Sequence, residues 1–264
     1  LVLVVQAALI GSILANLLLV LGLAFTAGGL RHGTQQIGSQ RARATTVLMF
    51  LAVAAMVVPS LASYVHTPAA PHEGSMSLVV AIILLLLFAV TLPASLKRKP
   101  DGDAAEHHEP PRWPLPLALG MLAASAVAAA FVSEWFVHAL EPAMHALNIS
   151  DAFAGLVIVA IAGNAVENVV GIQLALKNRS EYAFSVVINS PLQIALVLAP
   201  ALVILSRVFG YTPLTLVFPP MLVASVAIAV LTTAFITFDG ESDWGEGISL
   251  IALYAIVATA FWWG

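Results

Sequence analysis

Eight apolar stretches, each long enough to cross a bilayer, leave this chain few architectures to choose from. A helix rises about 1.5 Å per residue, so about 20 apolar residues span a hydrocarbon core about 30 Å thick. The stretches fall at 2–30, 44–64, 76–96, 114–139, 152–177, 182–207, 214–238 and 246–263. Chemistry explains the breaks between them: Gly28-Gly29 with Arg31 and Gly33, Pro68 and Pro71, the polar segment 97–112, Glu141-Pro142, Lys177-Asn178-Arg179, Gly210 with Pro213, and the acidic run 239–246. With 61% hydrophobic and 9% charged residues and a mean hydropathy of +1.00, a water-soluble domain is excluded. Lipid offers no partner to backbone polar groups, so the expected fold is an all-α polytopic membrane bundle. The absence of cysteine removes disulfide scaffolds and thiolate metal sites from consideration.

Charge sets the orientation independently of that segmentation. On an eight-helix zigzag, Arg31, Arg41, Arg43, Lys97, Arg98, Lys99, Arg112, Lys177 and Arg179 share one side, and only Arg207 lies opposite. Short loops rich in Lys and Arg stay on the cytoplasmic side, which places the 97–112 linker inside the cell. The chain then divides into three helices (1–96), a polar linker (97–113) and five helices (114–264). In the linker Asp101, Asp103, Glu106, His107, His108 and Glu109 offer ligands to a sensed cation, and a solvated connector accounts for the same composition.

One carboxylate breaks the apolar pattern. Glu167, in the run Gly163-Asn164-Ala165-Val166-Glu167, sits in the middle of the 152–177 stretch. An acidic residue at a helix centre costs about 2.5–3.5 kcal/mol to insert, so it marks a functional site by default. On a helix Gly163 and Asn164 share a face with Glu167.

Two further segments carry matching polar residues. Gly11-Ser12-Ile13-Leu14-Ala15-Asn16-Leu17-Leu18 aligns with Asn189-Ser190-Pro191-Leu192-Gln193-Ile194-Ala195-Leu196, and the zigzag runs the two copies in opposite directions. Inverted repeats of this kind put transporter sites at the midplane, between interrupted helices. Pro191 is expected to interrupt the second copy by freeing the carbonyl of Val187, and Gly11 to loosen the first. Ser12 with Asn16, and Ser190 with Gln193, would face Glu167 and supply amide, hydroxyl and carboxylate oxygens, the hard ligands suited to Ca²⁺ or Na⁺. For any one of the neutral residues taken alone, hydrogen bonding between helices is the plainer account.

These segments resemble the Ca²⁺/cation antiporter superfamily, in particular its cation/proton exchangers of the bacterial Ca²⁺/H⁺ (Na⁺/H⁺) branch. Gly163 to Glu167 with Asn189 to Ile194 is similar to the second alpha-repeat, and Gln6 to Gly29 to the latter half of the first. The resemblance implies a sodium/calcium-exchanger-like fold of about eleven helices, of which these eight match the last eight, so the chain is expected to begin inside a longer protein. It implies a secondary transporter that exchanges Ca²⁺, or Na⁺ or K⁺, for protons, with Glu167 binding the cation and the proton in turn. The implied cation and proton ligands are Glu167, Asn164, Gly163, Ser190, Gln193, Asn189, Ser12 and Asn16, with Glu167 the metal-binding carboxylate. No catalytic residue, cofactor or nucleic-acid partner is implied. The partners are the transported ions and the bilayer, expected to be a bacterial inner membrane, and the oligomeric state is left open. Where many relatives carry His after the repeat glutamate, this chain has Asn168. An inactive or partial relative, and a cation channel using the same oxygens, are the alternatives.

Secondary candidates lie outside the repeats. Gln6 and Asn168 flank the two motifs, and Glu134 and Glu141, with His138 and His145, suggest either a cation vestibule or an interfacial helix end. Asp239, Glu241, Asp243 and Glu246 could concentrate cations near an inner entrance or simply solvate a loop.

Overall fold

The computed structural model describes residues 2–97 and 113–262. Nine helices carry the described residues: α1 (Val2–His32), α2 (Ser39–Tyr64), α3 (Glu73–Lys97), α4 (Leu115–Leu147), α5 (Asp151–Gly163), α6 (Ala165–Leu176), α7 (Ser180–Val208), α8 (Pro220–Ile236) and α9 (Trp244–Trp262). Among the described residues six of them are long and apolar enough to cross a membrane. The pair α5 and α6 adds a span bent by 58°, and α8 is a shorter apolar helix. The polar segment 98–112, with its candidate cation-sensing residues, lies outside the described residues.

The chain forms two compact units, one of Leu1–Ala89 with Ser150–Gly264 and one of Val90–Ile149. At the centre of the first unit stands α1, with Ile10, Ile13, Leu14, Leu17, Leu18 and Leu21 fully buried. In lipid the helices gain little from hiding apolar surface, so close backbone approach must hold them together. Glycine supplies that approach. A Cβ on Gly155 of α5 would stand 2.9 Å from the carbonyl oxygen of Val4 and 3.0 Å from Cβ of Ala7, and a Cβ on Gly11 would overlap the backbone of Leu156. Gly11 therefore seats α1 against α5 in an unbroken helix; it does not loosen the chain as expected.

Pro191 likewise leaves α7 running on, buried inside the helix. Just beyond it α7 widens into a π-helical stretch, Ile194–Leu198, and α1 and α5 carry their own at Ala15–Val20 and Ala154–Val159. The real interruption is in the 152–177 stretch, where Asn164 leaves helical geometry (φ −101°, ψ 19°) between α5 and α6.

Helix ends shift for identifiable reasons. Pro142 lies within α4, and the stop comes at Asn148, in left-handed geometry (φ 51°). There the N–H of Ile149 donates to Met144 O at 2.9 Å, and Asn148 donates to His145 O, the paired bonds of a Schellman cap. Asn178 (φ 57°) closes α6 in the same way. Residues 214–219, expected to be helical, are not. Side chains satisfy their backbone instead: Ser206 Oγ accepts from Leu214 N, Ser77 Oγ from Leu216 N and Ser60 Oγ from Phe218 N, at 2.9–3.0 Å. Pro219 and Pro220 delay the helix start to α8.

At the opposite end of this unit, the loops predicted to be cytoplasmic are tied together. Gln35–Gln36 pairs antiparallel with Glu241–Ser242, a two-residue ribbon that hydropathy does not anticipate. Ser180 Oγ donates to Gln36 O at 2.6 Å, and Gln35 Nε2 donates to Ala175 O and to Asn178 Oδ1.

Candidate cation site

The bend at Asn164 turns an amide inward at mid-depth. From Asp151 to Asn164 the helix rises about 20 Å, and from there to Leu176 about 18 Å. Asn16 lies comparably deep in α1, about 21 Å along the helix from Val2. The two amides meet there: Asn16 Nδ2 donates to Asn164 Oδ1 at 2.8 Å.

Hydroxyls complete the cluster. Asn164 Oδ1 also accepts from Ser12 Oγ at 2.9 Å, while Asn164 Nδ2 donates to Ser12 Oγ at 2.8 Å and to Ala160 O at 2.6 Å. Asn16 Nδ2 reaches Ser12 O at 3.0 Å and Ser190 Oγ of α7 at 3.3 Å. Helices α1, α5 and α7 thus converge on four side chains, from both copies of the aligned repeat and from the glutamate motif. The polar capacity of Asn164 is filled, but Asn16 Oδ1 is buried with no hydrogen-bond partner. An unpaired acceptor of this kind costs about 1–3 kcal/mol unless something electropositive meets it.

Glu167 stands less than a turn beyond the bend, half-buried in the first turn of α6. A negative side chain there sits at the positive end of the helix dipole, a favourable arrangement. Among the described residues no side chain donates a hydrogen bond to its carboxylate. Asn168 folds back, its Nδ2 donating to Asn164 O at 3.0 Å, so it braces the bend.

Other expected members stay apart from this cluster. Asn189 and Gln193 are exposed, and the Nδ2 of Asn189 is 3.4 Å from Ser185 Oγ on its own helix. Both follow from register: on α7 Ser190 turns toward α1, and its neighbours one behind and three ahead face away. Gly163 is exposed, with open space around it. Gln6 binds elsewhere, its Nε2 donating to Val217 O at 2.8 Å and Thr215 O at 3.3 Å, where it clamps the extended segment before α8. Glu134 and Glu141 stand on α4 in the second unit with His138 and His145, and among the described residues no three such side chains are grouped to hold a metal ion. The acidic run before α9 does local work: Asp243 Oδ1 accepts from Glu246 N and Glu246 Oε2 from Asp243 N, a reciprocal cap. Sequence reasoning missed the three π-helical stretches, for which hydropathy carries no signal. It missed the serines on 214–219 as well, though isolated Ser60 and Ser77 in apolar helices beside a proline-rich segment hint at them.

The sequence pattern described as "Sodium/calcium exchanger protein" matches residues 2–97 and 117–263. This chain belongs to the sodium/calcium exchanger family. Its relatives include the Ca(2+)/H(+) antiporter ChaA of Bacillus subtilis, 38% identical over 266 residues, covering 98% of this chain and 75% of that protein. The Ca(2+)/H(+) antiporter of Aphanothece halophytica is 35% identical over 278 residues, covering 98% and 74%. Among solved structures, native YfkE superposes with a TM-score of 0.83 at 33% identity, covering 99% of this chain and 75% of that one. The sodium/calcium-exchanger-like membrane fold implied by the resemblance is thereby established for this family member.

Proposed function

We propose that this exchanger-family chain moves Ca²⁺ across a membrane in exchange for protons, with Glu167 carrying the cation and the proton in turn. Supporting the ion assignment are the names of relatives from two bacterial genera, both Ca(2+)/H(+) antiporters. The observation that carries the site is the buried, unpartnered Asn16 Oδ1 among Ser12, Asn164 and Ser190, beside the bend that presents Glu167. Ca²⁺ takes six to eight oxygens at about 2.3–2.6 Å, and this set offers only oxygen.

In the cation-loaded state a deprotonated Glu167 supplies charge and Asn16 Oδ1 a neutral oxygen. Ser12 and Ser190 can rotate their hydroxyls to present lone pairs, and the Gly163 carbonyl, Asn189 and Gln193 complete the shell when the exposed face is covered. When the cation leaves, a proton neutralises the carboxylate, so one side chain couples the two fluxes without a covalent step. The π-helical turns of α1, α5 and α7 adjoin the cluster, and such widened turns are frequent at functional sites. They supply the movable joints that alternating access needs. The membrane is the bacterial inner membrane, with the basic loops and the 97–113 linker joining the halves 1–96 and 114–264 on the cytoplasmic side.

The test is uptake of radioactive Ca²⁺ into vesicles driven by an imposed pH difference. Glu167→Gln should abolish it while leaving the protein folded; uptake at the normal rate would remove Glu167 from the mechanism.

A further inference from the structure

An outward-facing cavity of the first unit lies away from the cation site. A groove of about 410 Å³ runs between α2 and α8 near the basic-loop end, lined by Val47, Phe50, Leu231, Ala234 and Phe235, with Arg43 and Phe238 also on its wall. Phe235 and Phe238 are 79% and 65% exposed, so this apolar surface opens outward from the bundle. The Arg43 guanidinium lies 5.4 Å from the centroid of the Phe238 ring. That contact holds the cation over the apolar wall without neutralising it.

The acids of the adjoining loop make hydrogen bonds of their own rather than ion pairs with Arg43. Asp239 Oδ1 accepts from Glu241 N, and Glu241 Oε1 accepts from Gln36 Nε2. Among the described residues no carboxylate pairs with Arg43, which is exposed. An apolar trough with one guanidinium that no described carboxylate pairs, close to the end of a membrane-spanning helix, has the chemistry of a single amphiphile: hydrocarbon below, anion above. A zwitterionic headgroup would bring its own ammonium to the same guanidinium and lose most of the attraction. We propose that this groove seats an acyl chain of an anionic phospholipid whose phosphate rests on Arg43.

The position gives such a lipid a mechanical role. Thr46, Ala234 and Thr237 line both the groove and a small inner cavity that reaches Leu17, and Thr233 Oγ1 donates to Leu17 O at 3.4 Å. Leu17 belongs to the π-helical stretch of α1 that carries Asn16. A bound lipid therefore braces α2 and α8 one side-chain layer from that stretch.

The experiment titrates the purified full chain in detergent with phosphatidylglycerol, phosphatidylcholine or inorganic phosphate, reading thermal stability and lipid adducts by native mass spectrometry. Phosphatidylglycerol should raise the melting temperature saturably, and phosphatidylcholine and inorganic phosphate should not. Arg43→Gln should weaken the apparent affinity about fivefold, the loss expected for one membrane-facing cation, and lower the lipid-free melting temperature by no more than about 4 °C, the worth of one exposed cation–π contact. Ala234→Trp, which fills the trough, should remove the retained adduct. Equal stabilisation by the two lipids, an unaltered affinity in Arg43→Gln, or the same shift with inorganic phosphate would each overturn the proposal. None of these readouts depends on ion exchange.

Discussion

Gly155→Ala should destabilise this protein, although alanine is the better helix former by about 0.5–1 kcal/mol. The added Cβ would stand 2.9 Å from Val4 O, 3.0 Å from Ala7 Cβ and 3.1 Å from Ala8 N. Carbon atoms rest at about 3.5–4.0 Å, so α1 and α5 must part by about 0.5–1 Å. The same separation would stretch the bonds from Asn164 to Ser12 and Asn16, now 2.8–2.9 Å, to about 3.3–3.9 Å, at or beyond the hydrogen-bond limit. Interhelical hydrogen bonds in membranes average about 0.6 kcal/mol, so three of them amount to about 2 kcal/mol. Setting helix propensity against that leaves a net loss of about 1–1.5 kcal/mol, or a melting temperature about 2–6 °C lower. Thermal unfolding of the purified protein in detergent measures it, with Gly163→Ala alongside. Gly163 has nothing within 4 Å of its added Cβ, so that variant should be neutral or slightly stabilised. If Gly155→Ala melts no lower than wild type, the close approach of α1 and α5 is not what holds the Asn164 cluster together.

Other predictions separate scaffold from site. Ser77→Ala leaves the buried N–H of Leu216 unpaired and should cost about 1–3 kcal/mol, seen as a lower melting temperature; wild-type stability would show that 214–219 has another partner. Asn178→Ala puts an ordinary side chain at φ 57° and also removes an acceptor of Gln35, so a loss of about 1–2 kcal/mol is expected in the same assay. Ser190→Ala deletes a single 3.3 Å bond and should cost no more than about 0.6 kcal/mol, yet raise the apparent KM for Ca²⁺ in vesicle uptake; an unchanged KM would take Ser190 out of the cation shell.

Asn189, Ser190 and Gln193 illustrate how far the site could be read in advance. All three belong to one polar motif, and all three are candidate ligands by chemistry, but only Ser190 reaches Asn16. Which residue of a motif turns inward depends on the rotation of α7 about its own axis. With Ser185, Asn189, Ser190 and Gln193 spread over a broad polar face of that helix, nothing in the residue pattern records which of them turns inward. Gln6 makes the same point: an amide near a repeat motif looks like a ligand, yet it serves an extended segment more than 200 residues away in the chain.

Lipid as solvent is the reason so much could be read from residue order. A bilayer demands about 20 apolar residues per span and charges several kcal/mol for a buried carboxylate, so run length, loop charge and a lone Glu167 are legible without coordinates. The bend at Asn164, the π-helical turns beside the site, the extended backbone at 214–219 and the orphaned oxygen of Asn16 come into being only when the helices pack. The extended backbone at 214–219 is met by serines from three other helices, and the Asn16 oxygen is enclosed by helices far from it in the chain. Such partnerships are made across space between residues that hydropathy treats alike, and folding is what assigns them.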